Sequence, residues 1–112
     1  MMNTIVLICL TLLSVFGLRA QNGGEEMVKN TIDSFFLAFH QQDSVALRES
    51  VSKDIVLQTI GKNAEGTEVV KTENFDHFLK SIVSIPSTTK FEERILTYNI
   101  QIDGPMANAW TN

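Results

Sequence analysis

Cysteine is nearly absent from this sequence of 112 residues, and the one that occurs, Cys9, lies in an apolar run near the N-terminus. The rest of the chain therefore contains no disulfide, no cysteine nucleophile and no cysteine-based metal site. Neither histidine has a metal-ligand spacing, so the sequence predicts no metal site. The sequence also lacks a glycine-rich phosphate loop, a serine nucleophile elbow and a paired-carboxylate motif, and we expect no cofactor.

Basic charge is also scarce. Nine Lys and Arg residues stand against thirteen Asp and Glu residues, which gives a formal net charge of −4. The basic residues are scattered and form no run, whereas nucleic-acid binding normally requires a basic face. The composition therefore argues against a nucleic-acid partner.

A long hydrophobic run occurs only near the N-terminus. Ile5–Phe16 is apolar but too short to span a membrane comfortably, and Ala20 is a small residue suited to cleavage. We predict a secretory signal peptide over residues 1–20, although no basic residue precedes the run and an arginine lies close to the cleavage site. An uncleaved anchor is the alternative. Cleavage would leave residues 21–112 as a secreted or periplasmic domain with no membrane segment.

The clearest helical signal is an apolar stripe that begins near residue 28. Its members are spaced at i, i+4, i+7, i+8 and i+11, which predicts one long amphipathic helix. Burying its phenylalanines at roughly 1.5–3 kcal/mol each requires a broad apolar surface, for which we expect a sheet. Asp43 then offers a carboxylate to the free amides of a second helix, from Ser44 to about Val51. The stripe consists of Val28, Ile32, Phe35, Phe36 and Phe39.

A third helix is predicted in the second half of the chain. Thr72 is a suitable N-cap. Pro86 ends the helix, because the residue before a proline is pushed out of the helical conformation. The apolar positions between them follow the spacing i, i+3, i+4, i+7, and they are Phe75, Phe78, Leu79 and Ile82.

Strand signals surround this third helix. β-branched and apolar residues indicate strands before it, and a period-2 pattern followed by Asp103-Gly104 indicates a hairpin after it. On this second pair, Ala107 and Ala109 share a face where we expect a helix to lie close. The predicted strands are Ile55–Ile60, Thr67–Val70, Phe91–Ile102 and Pro105–Thr111.

The last predicted strand reaches the final residues without a turn or a polar tail. A strand that stops in mid-pattern leaves an open sheet edge, which favours aggregation. We therefore expect that the natural protein has further strands after Asn112.

The order helix, helix, strand, short strand, helix and long paired strands resembles the nuclear transport factor 2-like superfamily, from about Glu25 to Asn112. The markers are Phe35–Phe39, Gln42-Asp43 and Lys53-Asp54, which opens the first strand. More narrowly, the chain resembles the lumazine-binding (SnoaL-like) branch of small secreted bacterial proteins. The resemblance implies an α+β fold in residues 21–112. In it, a cone-like curved antiparallel sheet packs on three helices, with a pocket at its open end and its last strands missing here.

This superfamily includes ketosteroid isomerases, polyketide cyclases and dehydratases as well as many binding and accessory domains, so the fold does not settle the function. The resemblance places Phe35 where ketosteroid isomerases have an oxyanion-stabilising tyrosine, and Phe35 has no hydroxyl. It places Gln58 and Thr59 where they have a general-base aspartate, and neither side chain can act as a carboxylate base. The chain therefore disfavours the isomerase chemistry.

Four residues remain as candidates for a site besides Phe35. His77 lies off the apolar stripe of the third helix and is a candidate general base, or simply part of a solvated face. Tyr98 and Trp110 combine an apolar body with a polar tip, which suits a pocket wall as well as a core. Gln58 is a candidate ligand contact by its place near the end of the first strand. The other histidine, His40, lies at the end of the first helix, where we expect only a favourable contact with the negative end of the helix dipole.

We expect non-catalytic binding of a small, largely apolar ligand, or an accessory role. One alternative is a cyclase or dehydratase that uses His77 with Tyr98 or Trp110. Another is an interaction module that forms a homodimer through its sheet.

Overall fold

The computed structural model describes residues 23–112, so the predicted signal peptide lies outside the described residues. The α+β prediction is confirmed, since the described chain has three helices and four strands in two separate antiparallel hairpins. The elements in chain order are α1 (residues 23–40), α2 (Ser44–Glu49), β1 (Leu57–Lys62), β2 (Glu68–Glu73), α3 (Phe75–Val83), β3 (Tyr98–Asp103) and β4 (Met106–Thr111).

The chain divides into two compact units. The described part of the first, here called the terminal unit, comprises residues 23–33 and 94–112; the second, the central unit, is Ser34–Glu93. The hairpin of β1 and β2 belongs to the central unit, and the hairpin of β3 and β4 belongs to the terminal unit. Within residues 23–112 the strands therefore form two sheets of two strands each and no single curved sheet.

The end of α1 is closed by a left-handed residue. The backbone N–H of Asp43 donates to the carbonyl of Ala38 at 3.0 Å, and Gln42 has φ 53°. This position usually selects glycine, because a side chain is strained there. The Gln42 side chain holds the conformation in place, since its Nε2 donates to the carbonyl oxygens of Ile82 and Ile85 at 2.7 and 2.8 Å. Gln42 thus ends α1 and links it to the end of α3.

The two short helices begin at capping side chains. The Asp43 carboxylate accepts from the backbone N–H of Ala46 at 3.0 Å, which confirms the predicted cap of α2. The predicted cap of α3 is wrong. Asn74 caps this helix, accepting from two backbone N–H groups, while Thr72 lies in β2. Asparagine is also a favoured N-cap residue, and Thr72 pairs with Gln58 of β1 instead of capping the helix.

In the first hairpin, β1 begins and ends two residues later than the predicted strand Ile55–Ile60, and β2 continues three residues past the predicted end at Val70. The register pairs Leu57 with Glu73 and Lys62 with Glu68, so both strands contain six residues. Asn63 organises the connecting loop, because its Oδ1 accepts from two backbone N–H groups of the loop at 3.0 and 2.9 Å. This local network allows charged residues at the strand ends to continue the ladder.

The second hairpin turns through two residues. Asp103 pairs with Met106, so Gly104 and Pro105 form the turn, and Gly104 has φ 54°. A left-handed glycine followed by proline, which fixes φ near −65°, matches a type II′ turn. The predicted strand Phe91–Ile102 begins later than expected, at Tyr98. The regular pairing with β4 covers Tyr98 to Asp103, and hydrogen bonds between Thr97 and Asn112 continue from its end.

The core of the central unit is built between helices. Leu47 of α2 is fully buried, and Ala38 and Ile82 are buried with it. We expected a sheet opposite the phenylalanines of α1, but α3 and the segment after it supply that surface. Phe39 stacks on Phe78 with ring centroids 6.3 Å apart, and it meets Phe91 edge-on at 5.4 Å.

Candidate functional site

Tyr98 lies at the centre of a polar contact in the terminal unit. It begins β3, and its hydroxyl donates to the Asp33 carboxylate on α1. Lys29, one helical turn before Asp33, places its Nζ 3.1 Å from Asp33 Oδ2 and 5.0 Å from the centre of the Tyr98 ring. The i, i+4 spacing brings the lysine and the aspartate together, and the fold adds the tyrosine.

The charges in this contact are fixed by its hydrogen bonds. The hydroxyl of Tyr98, and then the ammonium of Lys29, lower the pKa of Asp33 below its ordinary value. The same bond to the ionised Asp33 raises the pKa of Tyr98, and partial burial raises it further. At neutral pH, Asp33 is therefore a carboxylate and Tyr98 a neutral phenol whose proton is directed at Asp33. The oxygen of Tyr98 remains able to accept a hydrogen bond from another molecule.

A groove of about 580 Å³ runs beside this contact. Tyr98, Leu96 and Ile100 give it an apolar wall, and Leu96 is 74% exposed there. The opposite side is polar and comes from the first turns of α1. The volume lies in the range of small-molecule pockets, and the combination of an apolar wall with a few polar groups is typical of them. The groove is lined by Glu25, Glu26, Lys29, Leu96, Thr97, Tyr98 and Ile100.

The hairpin places Tyr98 and Trp110 on opposite faces. Tyr98 pairs with Thr111, and Trp110 pairs with Asn99, one position further along. Directly paired residues share a face, while adjacent residues on a strand point to opposite faces. Trp110 is therefore on the face away from the Tyr98 groove, and it is 71% exposed. The two strands pair with each other as expected, but their register places the two aromatic residues on opposite faces, so they do not form one pocket wall.

The helix-facing side of this hairpin carries the small residues that the sequence singled out. Ala107 and Ala109 pair with Ile102 and Ile100, so they share the face of Tyr98. A methyl group added at Gly24 of α1 would lie 2.9 Å from the Ile102 side chain. The helix therefore approaches this face closely, as we expected from the alanines.

Gln58 and Phe35 both lie in the central unit. The Gln58 amide donates to the hydroxyl of Thr72, its partner across the hairpin, at 3.2 Å, and both side chains are exposed. Phe35 is half-buried and packs on the core around Leu47, with its ring edge-on to Phe36 at 5.4 Å. Their role as ligand contacts stays a prediction.

His77 is exposed on α3 in the central unit. The hydrogen bonds recorded for it involve its backbone: the N–H donates to Asn74 Oδ1 at 3.2 Å, and the carbonyl accepts from Ser81 Oγ at 3.0 Å. Within residues 23–112 no carboxylate forms a hydrogen bond with its imidazole. The neighbouring Asp76 instead pairs with Arg48. Its role as a general base also stays a prediction.

Asp33 and Lys29 were not predicted as site residues from the sequence. Their i, i+4 spacing of opposite charges is visible in the sequence, but it usually indicates only a solvated helix face. Their contact with Tyr98 joins residues 65 positions apart, so no local pattern could reveal it.

No group of three or more His, Cys, Asp or Glu side chains within residues 23–112 could hold a metal ion. None of the helices in this part combines the length and apolar composition needed to cross a bilayer.

No family model, curated protein or solved structure matches this chain. The resemblance to the nuclear transport factor 2-like superfamily therefore stays a prediction from the sequence.

Proposed function

We propose that this protein binds a small, largely apolar ligand, without catalysis, in the groove beside Tyr98. The supporting observation is the anchored phenol: Asp33 and Lys29 hold the ring of Tyr98 as a fixed wall of the groove. A rigid aromatic side chain gives contact area at low entropic cost.

The chemistry of Tyr98 supports binding in preference to proton transfer. Its proton is engaged by Asp33, and the raised pKa of the phenol disfavours a phenolate base at neutral pH. Its oxygen can still accept a hydrogen bond. The ligand that suits the groove therefore has an apolar body, which covers Leu96 and Ile100, and a hydroxyl or amine donor near Tyr98.

A pair of exposed apolar residues on the terminal unit provides a sharp test. Leu96 lines the groove and is 74% exposed, whereas Met106 of β4 is 73% exposed and does not line it. With the uncharged dye Nile red as the probe, we expect saturable 1:1 binding that Leu96→Ser weakens about tenfold, because an apolar contact of the size of leucine is lost. Met106→Ser should change the affinity less than twofold.

Fluorescence titration of the dye measures these affinities, and circular dichroism checks that each variant is folded. Equal weakening by both substitutions, or binding without saturation, would show that the dye only coats exposed apolar surface and would contradict the proposal.

The cellular location and the finer fold belong to the same proposal. Export is supported by Ile5–Phe16 with Ala20 after it, and a mature protein that begins at Gln21 would test it. The cone of the nuclear transport factor 2-like superfamily is supported by the order of the elements from α1 to β4. An experimental structure of the natural protein, with any residues that follow Asn112, tests whether the two hairpins join one curved sheet.

A further inference from the structure

The end of α1 and the segment before β3 form a second groove, within the central unit. Its volume is about 700 Å³, which is again in the range of small-molecule pockets. Several of its side chains can donate hydrogen bonds, and two carry aromatic rings. The groove is lined by His40, Gln42, Ser87, Thr89, Lys90, Phe91 and Glu92.

His40 is held in this groove in a defined state. Its Nε2 lies 2.8 Å from the backbone nitrogen of Glu93, whose N–H donates to it. A nitrogen that accepts an N–H carries a lone pair, so the proton of the neutral ring lies on Nδ1. The ring also packs against Phe39 at 5.5 Å and Phe91 at 6.2 Å. His40 therefore presents an oriented Nδ1–H donor on a fixed aromatic support.

Lys90 supplies positive charge to the same groove. Its side chain forms no ion pair with any residue of the described range 23–112. Glu92 also lines the groove, and it has an interaction of its own. Against this one carboxylate stand the ammonium of Lys90, the Nδ1–H of His40 and the hydroxyls of Ser87 and Thr89. The groups that can donate a hydrogen bond therefore outnumber the carboxylates in the groove. This balance favours an anionic group on the ligand.

Gln42 also lines the groove and is held firmly in place. Its left-handed backbone and the two hydrogen bonds from its Nε2 hold the end of α1 against the end of α3. A strained residue that is held in this way often occurs where a site must be rigid.

We propose that this second groove binds an organic anion with a planar aromatic body, such as an aromatic carboxylate. The ring packs against Phe91, and the carboxylate is bound by Lys90 and the Nδ1–H of His40. This site is separate from the Tyr98 groove and does not depend on the function proposed for it.

A titration of the ¹⁵N-labelled protein with 2-naphthoate tests the site by NMR. We expect saturable shifts of the backbone amides in residues 87–93 and a change at the His40 ring nitrogens. The neutral isostere 2-naphthamide should bind at least about tenfold more weakly, since it lacks the charge.

Two matched lysine variants separate this site from general attraction to basic groups. Lys90→Gln should weaken 2-naphthoate about tenfold, because it removes the charge that faces the carboxylate. Lys80→Gln, an exposed position on α3 outside the groove, should leave the affinity unchanged.

The proposal is overturned if 2-naphthoate shows no saturable binding, or if 2-naphthamide binds equally well. It is also overturned if the two lysine variants behave alike, or if the shifts centre on Tyr98 and α1 residues 23–33. Both substitutions lie on exposed side chains, so folding should not obscure the comparison.

Discussion

Single residues in this protein differ sharply in how much they contribute to stability. Leu47 is fully buried among α1, α2 and α3, while Val45, on the same short helix, is 66% exposed. The two residues are similar in chemistry and only two positions apart, so the helical period alone separates their environments.

Replacing Leu47 should therefore be far more costly than replacing Val45. We expect Leu47→Ala to lower the free energy of unfolding by about 2–5 kcal/mol, through lost transfer energy and the cavity left behind. Val45→Ala should change it by less than about 0.5 kcal/mol. Urea unfolding followed by far-UV circular dichroism measures both values, and similar losses for the two variants would contradict this burial pattern.

At the scale of elements, local chemistry predicted most of the helices and turns. The apolar stripe of α1 and the Asp43 cap of α2 are local signals, and both were identified correctly. The start of α3 was not, because Thr72 and Asn74 are both good capping residues. The residue that caps α3 depends on how far β2 continues along β1. The pairing of these strands joins residues up to 16 positions apart, such as Leu57 and Glu73, so no local pattern reveals where β2 ends.

The two candidate caps of α3 can be compared directly. Asn74→Ala removes the side-chain acceptor of two backbone N–H groups, and we expect it to lower the free energy of unfolding by about 1 kcal/mol. Thr72→Ala removes only an exposed hydrogen bond from Gln58 and should cost less than about 0.5 kcal/mol. Chemical denaturation of the two variants gives the comparison, and a larger loss for Thr72→Ala would favour the cap that the sequence suggested.

At the scale of the whole molecule, the Tyr98 groove depends on contacts between distant parts of the sequence. The groove requires α1 to lie on one face of the second hairpin, so that Asp33 reaches Tyr98. The alternation along β3 predicted which residues share that face. This alternation could not predict that α1 packs on the same face and places Lys29 and Asp33 next to Tyr98.

This long-range contact should make stability depend on pH at both extremes. Asp33 has a lowered pKa, so its contribution is present above the ordinary value of 3.8 and is lost as the pH falls through the lowered value. Tyr98 has a raised pKa, so its contribution is present below the ordinary value of 10.0 and is lost as the pH rises through the raised value. Between these limits the contact is intact.

The variant Tyr98→Phe keeps the ring and removes the hydroxyl. We expect its melting temperature to be lower than that of the natural protein between about pH 4 and pH 10, with the difference shrinking toward both extremes. Thermal unfolding of the two proteins across this range provides the measurement. A difference in melting temperature that stays constant from acid to alkaline pH would contradict a hydrogen bond that depends on the ionisation of Asp33 and Tyr98.

The sequence by itself determined the α+β class, the existence of α1, α2 and α3, and a tight turn that includes Gly104, although the turn lies one residue later than predicted. The physical reason is that periodicity, capping and turn chemistry act over a few residues. Tertiary structure alone decided that the two pairs of strands form separate sheets, that Phe39 packs on Phe78 and Phe91, and that Asp33 reaches Tyr98. These outcomes depend on which distant surfaces meet, and several surfaces of similar apolar character were available to each partner.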